Sequence, residues 1–383
     1  MDHRPLTELD LESLRRRRSI KWRQYPEDVL PLWVAEMDTP LAPPIRDALH
    51  AVVDLGDTGY AHRDRLPQAF AGFAAARYGW WPDPARMWLI PDVMQGITEV
   101  LRLVTSRGDG VLVNTPAYPP FFPFITEAGR RVVESPLAVD DTGRYRLDLD
   151  RLAVDLARPD VTAYVLANPH NPTGIVLSSA ELLAVTELAD RHRVRVLVDE
   201  IHAPLTYPGV VFTPFLSLPG TESALAFVSA TKAWNLPGLK AGLVIGGGSA
   251  VADLARMPEG VAFGAGLFGV VASVAAFQAG TQWLDALLAD LDANRRLLGD
   301  LLAAGLPEVG YQPPDATFLA WLDCRPLDLG DDPSAVFLAH GRVAVNPGPS
   351  FGPPGRGHVR LNFATTPGIL AEGVRRMVSA VRR

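Results

Sequence analysis

From Met87 to Ile245 the chain alternates short apolar runs with amphipathic stretches, and this rhythm constrains the possible folds more than any other feature. The runs fall at 88–90, 111–113, 131–133, 163–166, 194–198, 226–228 and 243–245, and they are rich in Val, Ile and Leu. Strands buried on both faces lose the polar alternation of a half-exposed sheet, and parallel neighbours need a crossover that a helix supplies. Between the runs, Ser179–His192 reads as a helix, as does the stretch after Asp92, where Ile97, Val100, Leu101 and Val104 share one face and Asp92 serves as N-cap. The pattern predicts an α/β fold whose mostly parallel sheet lies between helices.

The flanks read differently. Leu284, Leu287, Leu288, Leu291, Leu298 and Leu301 recur at helical spacing up to Gly305, which predicts a long helix leaving the sheet. Beyond it, strands and helices at 317–322, 343–345, 359–362 and 369–381 predict a smaller α+β domain. Upstream, residues 19–38 lead into the prolines of 40–44 and are expected to form an extended arm, because proline and alternating apolar residues disfavour helix. Helices are expected at 45–53 and 67–78. The expected division is therefore 1–45 as arm and part of the small domain, 46–285 as the large domain and 286–383 as the small C-terminal domain.

Composition narrows the function. A chain of 383 residues with 48% apolar and 21% charged content has material for two folded cores. A net charge of −7 argues against nucleic-acid binding, which rests on basic surface, and the run Arg15–Arg18 beside Glu12 reads as a solvated helix end. With Cys324 as the one cysteine no internal disulfide can form, and the polar N-terminus has no signal-peptide core, so a cytoplasmic setting is expected. Residues 260–284 carry no charge, but their glycines and Ser273, Gln278, Thr281 and Gln282 favour a buried helix with a leading loop over a membrane span. Asp199, Glu200 and His202 lack the spacing of a metal site, and no metal is expected.

In open α/β sheets, ligands bind beyond the carboxyl ends of the strands. At those ends stand Asn168-Pro-His-Asn171-Pro-Thr-Gly174, then Asp199-Glu-Ile-His202, then Ser229-Ala-Thr-Lys232. Lys232, flanked by hydroxyls and followed by a Pro-Gly turn, is placed to hold an aldehyde cofactor through its amine.

These motifs, with Val359-Arg-Leu-Asn362 after them, resemble the fold-type I, pyridoxal-phosphate-dependent aminotransferase superfamily of class I/II. Lys21-Trp22, Trp33-Val-Ala-Glu-Met-Asp38, Asp199-Glu-Ile-His202 and Trp283-Leu-Asp285 further resemble its MalY/PatB branch of cystathionine and cysteine-S-conjugate β-lyases. The resemblance covers nearly the whole chain. It implies a large domain with a mostly parallel seven-stranded sheet, a smaller α+β domain, and pyridoxal 5′-phosphate as cofactor.

By that resemblance Lys232 is the catalytic lysine, Asp199 pairs with the pyridine nitrogen, Asn171 meets the ring's phenolic oxygen, and Tyr118 stacks on the ring. His202 stands three residues after Asp199, where aminotransferases often place a tyrosine. The amides of Met94, Gln95 and Gly96, with Ser229, Thr231 and Lys240, are expected to receive the phosphate. Tyr60 is expected to reach the phosphate of a neighbouring subunit, which implies a homodimer with sites at the interface. Arg360 is the expected anchor for the substrate carboxylate, with Asn171 and Tyr118 beside it, and the loop at 347–355 is placed to close over the substrate.

The implied reaction is α,β-elimination of cystathionine or another cysteine S-conjugate to a thiol, pyruvate and ammonia. Transamination begins with the same residues and is the alternative, as is an oxidative or decarboxylating variant in specialised metabolism. A regulatory binding protein is a further reading. Glu36 and Pro204 depart from the branch, which usually has acidic residues there, aspartate at the first, and Gln95-Gly96 departs at the phosphate turn.

Overall fold

The structure is a computed structural model that describes residues 4–63 and 65–382, so residues 1–3 and 383 of the expected outer domains, and Asp64, lie outside it. Each of the seven predicted runs is a strand of one sheet: β1 (Met87–Ile90), β2 (Gly110–Thr115), β3 (Arg131–Pro136), β4 (Val161–Ala167), β5 (Arg195–Asp199), β6 (Leu225–Val228) and β7 (Gly242–Gly246). Their order is β1-β7-β6-β5-β4-β2-β3. The strands from β3 across to β6 run parallel, and β7 is antiparallel to both β6 and β1.

Separate apolar clusters cover parts of the sheet, one with Ile97, Val100 and Leu101 and another with Leu152, Leu182 and Val185. The helix Val93–Val104 begins where the Asp92 carboxylate accepts from the Gln95 amide. Ser179–His192 carries a capping box between Ser178 and Glu181 and stops at left-handed Arg193.

The segment expected as one buried helix and its loop is broken. Helix Leu267–Ala279 turns by 83° at Gly280 into the long helix Thr281–Gly305. The bend is built by Trp234, whose indole N–H donates to the Gly280 carbonyl at 3.1 Å, and a Cβ at position 280 would meet that nitrogen at 2.5 Å. Among the described residues no single helix is long and apolar enough to cross a membrane.

Beyond the long helix, Gly310–Tyr311, Leu319–Asp323, His358–Asn362 and Asn346–Pro347 form a second sheet, packed with helices Pro333–Gly341 and Pro367–Val381. The N-terminal segment joins this smaller unit: Leu30–Pro31 pairs in parallel with Val343–Ala344, and Arg4 bonds Asp290 on the long helix. The expected boundary at 285/286 falls inside that continuous helix.

The arm is not wholly extended, because Ile20–Arg23 forms a helical turn that brings Lys21 and Trp22 together onto Asp38. Nor are the arginines only solvated, since Arg17 donates to the carbonyls of Met37 and Thr39. Cys324 is buried and free.

Several contacts tie the two sheets together, and one of them is very close. Gly174, at φ +70°, packs so closely on Pro314 that a Cβ would lie 2.3 Å from the proline Cβ. Its carbonyl accepts the amides of Asp315 (2.9 Å) and Ala316 (3.1 Å), which lead into the smaller sheet.

Candidate active site

The carboxyl ends of β4, β5 and β6 open onto a cavity of about 270 Å³. Asn171 reaches it from the turn after β4, Asp199 from the last position of β5, His202 from the turn beyond, and Thr231 and Lys232 from the turn after β6. Tyr118 and Met94 line it as well, with Pro120, Phe124 and Ile201 as apolar wall and Ala35 contributed by the N-terminal segment. Arg360, in the middle of strand His358–Asn362, does not line the cavity but is buried behind Asn171, donating to the Asn171 side-chain oxygen at 2.9 Å.

Burial governs the charges here. Lys232 is held down to about 8, because desolvation disfavours the ammonium and the Arg360 guanidinium adds to this; the Lys232 amine donates to the Ala35 carbonyl at 3.2 Å. Asp199 is pushed up to about 6 by burial, which the amide of Ile201 at 3.0 Å and the charge of Lys232 only partly offset. His202 is driven down to about 3 by the same desolvation and by nearby cations, so its imidazole is neutral at neutral pH. Arg360 falls to about 10 through burial, and its guanidinium lies 5.1 Å from the Phe351 ring centre. The Tyr118 hydroxyl is raised by burial.

Among the buried side-chain polar atoms without a partner in the described residues are His202 Nδ1 and Arg360 Nε, both at this site. A buried carboxylate without a full counter-charge at Asp199 makes a third deficit. Unpaired polar groups in a low-dielectric site are costly unless a ligand satisfies them. A planar, protonated pyridine ring against Asp199 and an α-carboxylate on Arg360 would supply partners for two of these three, so the residues fit pyridoxal phosphate and an amino acid.

The expected phosphate end is less assembled. The Gln95 amide is taken by the Asp92 carboxylate at 2.9 Å and the Gly96 amide by the Asp92 carbonyl at 2.9 Å, while Met94 borders the cavity. Position 96 is a glycine because a Cβ there would strike Ile90 Cδ1 at 2.5 Å, which seats the helix against the sheet. Ser229 stands behind the wall, bonding the Ala241 carbonyl at 2.7 Å and receiving the Thr231 amide at 3.2 Å. Lys240 is on the wall but pairs with Asp92 at 3.0 Å. Tyr60 is 84% exposed, packed on Phe263, and does not line this chain's cavity.

Sequence reasoning missed the backbone of the N-terminal segment as part of the site. The Trp33 carbonyl accepts from Arg360 at 3.3 Å and the Ala35 carbonyl from Lys232, although Trp33-Val-Ala-Glu-Met-Asp38 had stood out as a motif. The loop at 347–355, expected to close over the substrate, is pinned instead: Phe351 is buried, and its carbonyl accepts the Ala117 amide at 2.8 Å.

This arrangement of strand-end aspartate, turn lysine and small-domain arginine is that of a pyridoxal-phosphate enzyme of fold-type I, and the chain belongs to the family "Aminotransferase class I and II", whose model matches residues 29–377. Within the family it falls in the MalY/PatB-like branch. A Mycobacterium leprae protein named "Putative cystathionine beta-lyase" is 50% identical, covering 100% of this chain and 99% of the relative. The "Cystathionine beta-lyase PatB" of Bacillus subtilis is 34% identical over 95% of this chain and 96% of its own length. Among solved structures, the PLP-bound C-S lyase from Staphylococcus hominis matches with a TM-score of 0.92 at 25% identity, covering 99% of each chain.

Proposed function

We propose that the chain is a carbon-sulfur β-lyase that cleaves cystathionine or another cysteine S-conjugate, using water, to a thiol, pyruvate and ammonia. The observation that carries this reading is the placement of Lys232: a part-buried lysine on the cavity wall whose amine desolvation, with the Arg360 charge, lowers to about 8, with Asp199 also acting on it. The names borne by relatives along the full length of the chain support the choice of elimination.

When bound, pyridoxal phosphate supplies an aldehyde for the substrate amine and a ring that accepts the electrons released at the α-carbon. Asp199 would hold the ring nitrogen protonated, a role its burial strengthens, since an unscreened carboxylate attracts the proton more strongly. Asn171 and Tyr118 would hold the ring, and Thr231 and Lys240 with the Met94 amide would hold the phosphate. Arg360 orients the substrate by its α-carboxylate. The Lys232 amine would take the proton as the α-carbon–hydrogen bond breaks. The Cβ–S bond then breaks with its electron pair leaving on sulfur, and water converts the remaining three carbons to pyruvate and ammonia.

Tyr60 belongs to the neighbouring copy's site in this reading, which makes the working unit a homodimer; its exposure beside Phe263 supports that. The large and small domains divide near residue 285 with residues up to 45 on the small one, and the buried thiol of Cys324 suits a reducing cytoplasm.

The test is product analysis of the loaded enzyme with L-cystathionine or an S-alkyl cysteine in the absence of any keto acid. Thiol and pyruvate in equal amounts over many turnovers are expected, and Lys232→Ala should abolish them together with the absorbance of the bound cofactor. Transfer of amino groups to an added keto acid, with no thiol released, would replace this reading by transamination.

A further inference from the structure

Residues 33–39 form no regular element, yet side chains from three directions tie them down beside the cavity. From behind, the fully buried Lys21 donates to Asp38 at 2.8 Å and to the Glu36 carbonyl at 3.1 Å, while the Trp22 indole donates to the other Asp38 oxygen at 2.9 Å. From the Lys232 side, Asn235 grips one residue twice, accepting the Met37 amide and donating to the Met37 carbonyl, both at 2.8 Å. From the Arg360 side, Asn362 donates to the carbonyls of Val34 (2.7 Å) and Glu36 (2.6 Å). The two carbonyls facing inward, Trp33 and Ala35, accept from Arg360 and Lys232 respectively.

We propose that residues 33–39 act as a strap, fixed by Lys21, Asp38 and Asn235, that sets the spacing between Lys232 and Arg360 and keeps Lys232 dry. Lys21, Asp38 and Asn235 are thereby positioning residues. A buried ion pair is poor evidence of stability, because desolvation consumes most of its attraction, and is better explained where it fixes one arrangement against others. Here the arrangement fixed is that of one turn carrying the amine and one strand carrying the guanidinium. Nothing else in chain order links Asn235, three residues past Lys232, to Asn362, two past Arg360; the strap is where their bonds meet.

The effect on Lys232 has a direction. Arg360, Glu36, Asp199 and Lys240 are the charged groups that act on its amine, and burial is the dominant influence. Loosening the strap removes the Ala35 carbonyl, which favours the ammonium by about a tenfold factor at most, and admits water, which favours it by more. Burial, largest among several influences, lowers this amine from 10.5 to about 8, so hydration wins and the amine becomes more basic.

The inference rests on the roles of Lys232 and Arg360 given above, and its test separates the two. Apoprotein is mixed with pyridoxal phosphate across a pH series, and the rate of colour formation, which requires the unprotonated amine, is followed by absorbance. Asn235→Gly is the cleaner variant, because Asn235 has φ +56° and glycine keeps that conformation while losing both bonds to Met37. Lys21→Met is the second. Both should raise the midpoint of uptake by about one pH unit, a tenfold change in proton affinity, and raise KM for the amino acid several-fold, with secondary structure unchanged. Variants that fold and melt lower yet keep the parent midpoint and KM would overturn the strap while leaving the cofactor reading intact. A parent protein that forms no Lys232-dependent colour would overturn both.

Discussion

The two ends of the cavity are built on opposite principles. At the ring end Asp199, His202, Asn171 and Arg360 are each less than a tenth exposed, all come from one chain, and two of them hold buried polar atoms that await partners. At the end expected to take the phosphate the wall includes an ion pair, Lys240 with Asp92, whose side chains are 55% and 30% exposed, and Tyr60 does not line its own chain's cavity. Where water is excluded, desolvation sets the chemistry of each group and a lost partner is expensive. Where water is present, charges are screened and individually cheap. At one end the packed chain controls the dielectric, and at the other solvent does.

The contrast is broken most severely by a change at the ring end. Arg360→Lys keeps the charge but loses the planar fork, and kcat/KM should fall about 100-fold, mostly through KM, as measured by steady-state kinetics. An intact KM would mean that the substrate carboxylate is held elsewhere.

The second effect is a pH dependence of stability in the cofactor-free protein. Glu200, buried behind Asp199 and accepting the Phe215 amide at 2.7 Å, is pushed up to about 8 by desolvation. Its folded value lies above the unfolded one, so the stability it contributes is complete below the ordinary glutamate range and is lost as pH rises toward 8. Glu200→Gln keeps an acceptor for Phe215 and cannot ionise. Thermal unfolding should show the parent weakening between pH 5 and pH 8 by on the order of 3 kcal/mol more than the variant; parallel curves would show that Glu200 is ionised and solvated.

The smallest effect belongs to the phosphate end. Lys240→Met should weaken cofactor binding only about 3-fold to 5-fold, with the difference shrinking in high salt, read by equilibrium titration of the apoprotein. A loss as large as that at Arg360 would erase the distinction between the two ends.

The contrast also separates what the sequence reveals from what it hides. Strand ends are local: Asp199 and the turn to Lys232 follow directly from apolar runs, and all seven runs are strands of the sheet. The capping of Ser179–His192 is equally local, with both partners within three residues. What stays hidden is made by pairs far apart in the chain. Nothing near Gly280 announces that Trp234 will hold the bend, and nothing near Met37 announces Asn235. The helical turn at Ile20–Arg23 is of this kind too, because the partner that rewards it, Asp38, lies outside any local window. At Asp92 the sequence shows an N-cap but not that its second oxygen will occupy Lys240.

Gly174 adds a mechanical reading to the chemical one. The turn that carries Asn171 is bolted, through the carbonyl of Gly174 and its contact with Pro314, to the chain entering the smaller sheet, while Arg360 on that sheet grasps Asn171 itself. Asn171 therefore sits inside a closed linkage with two attachment points on the C-terminal unit. Any rotation of that unit that preserves these joints must carry the asparagine with it, so Arg360 and Asn171 move as one part and cannot be adjusted independently.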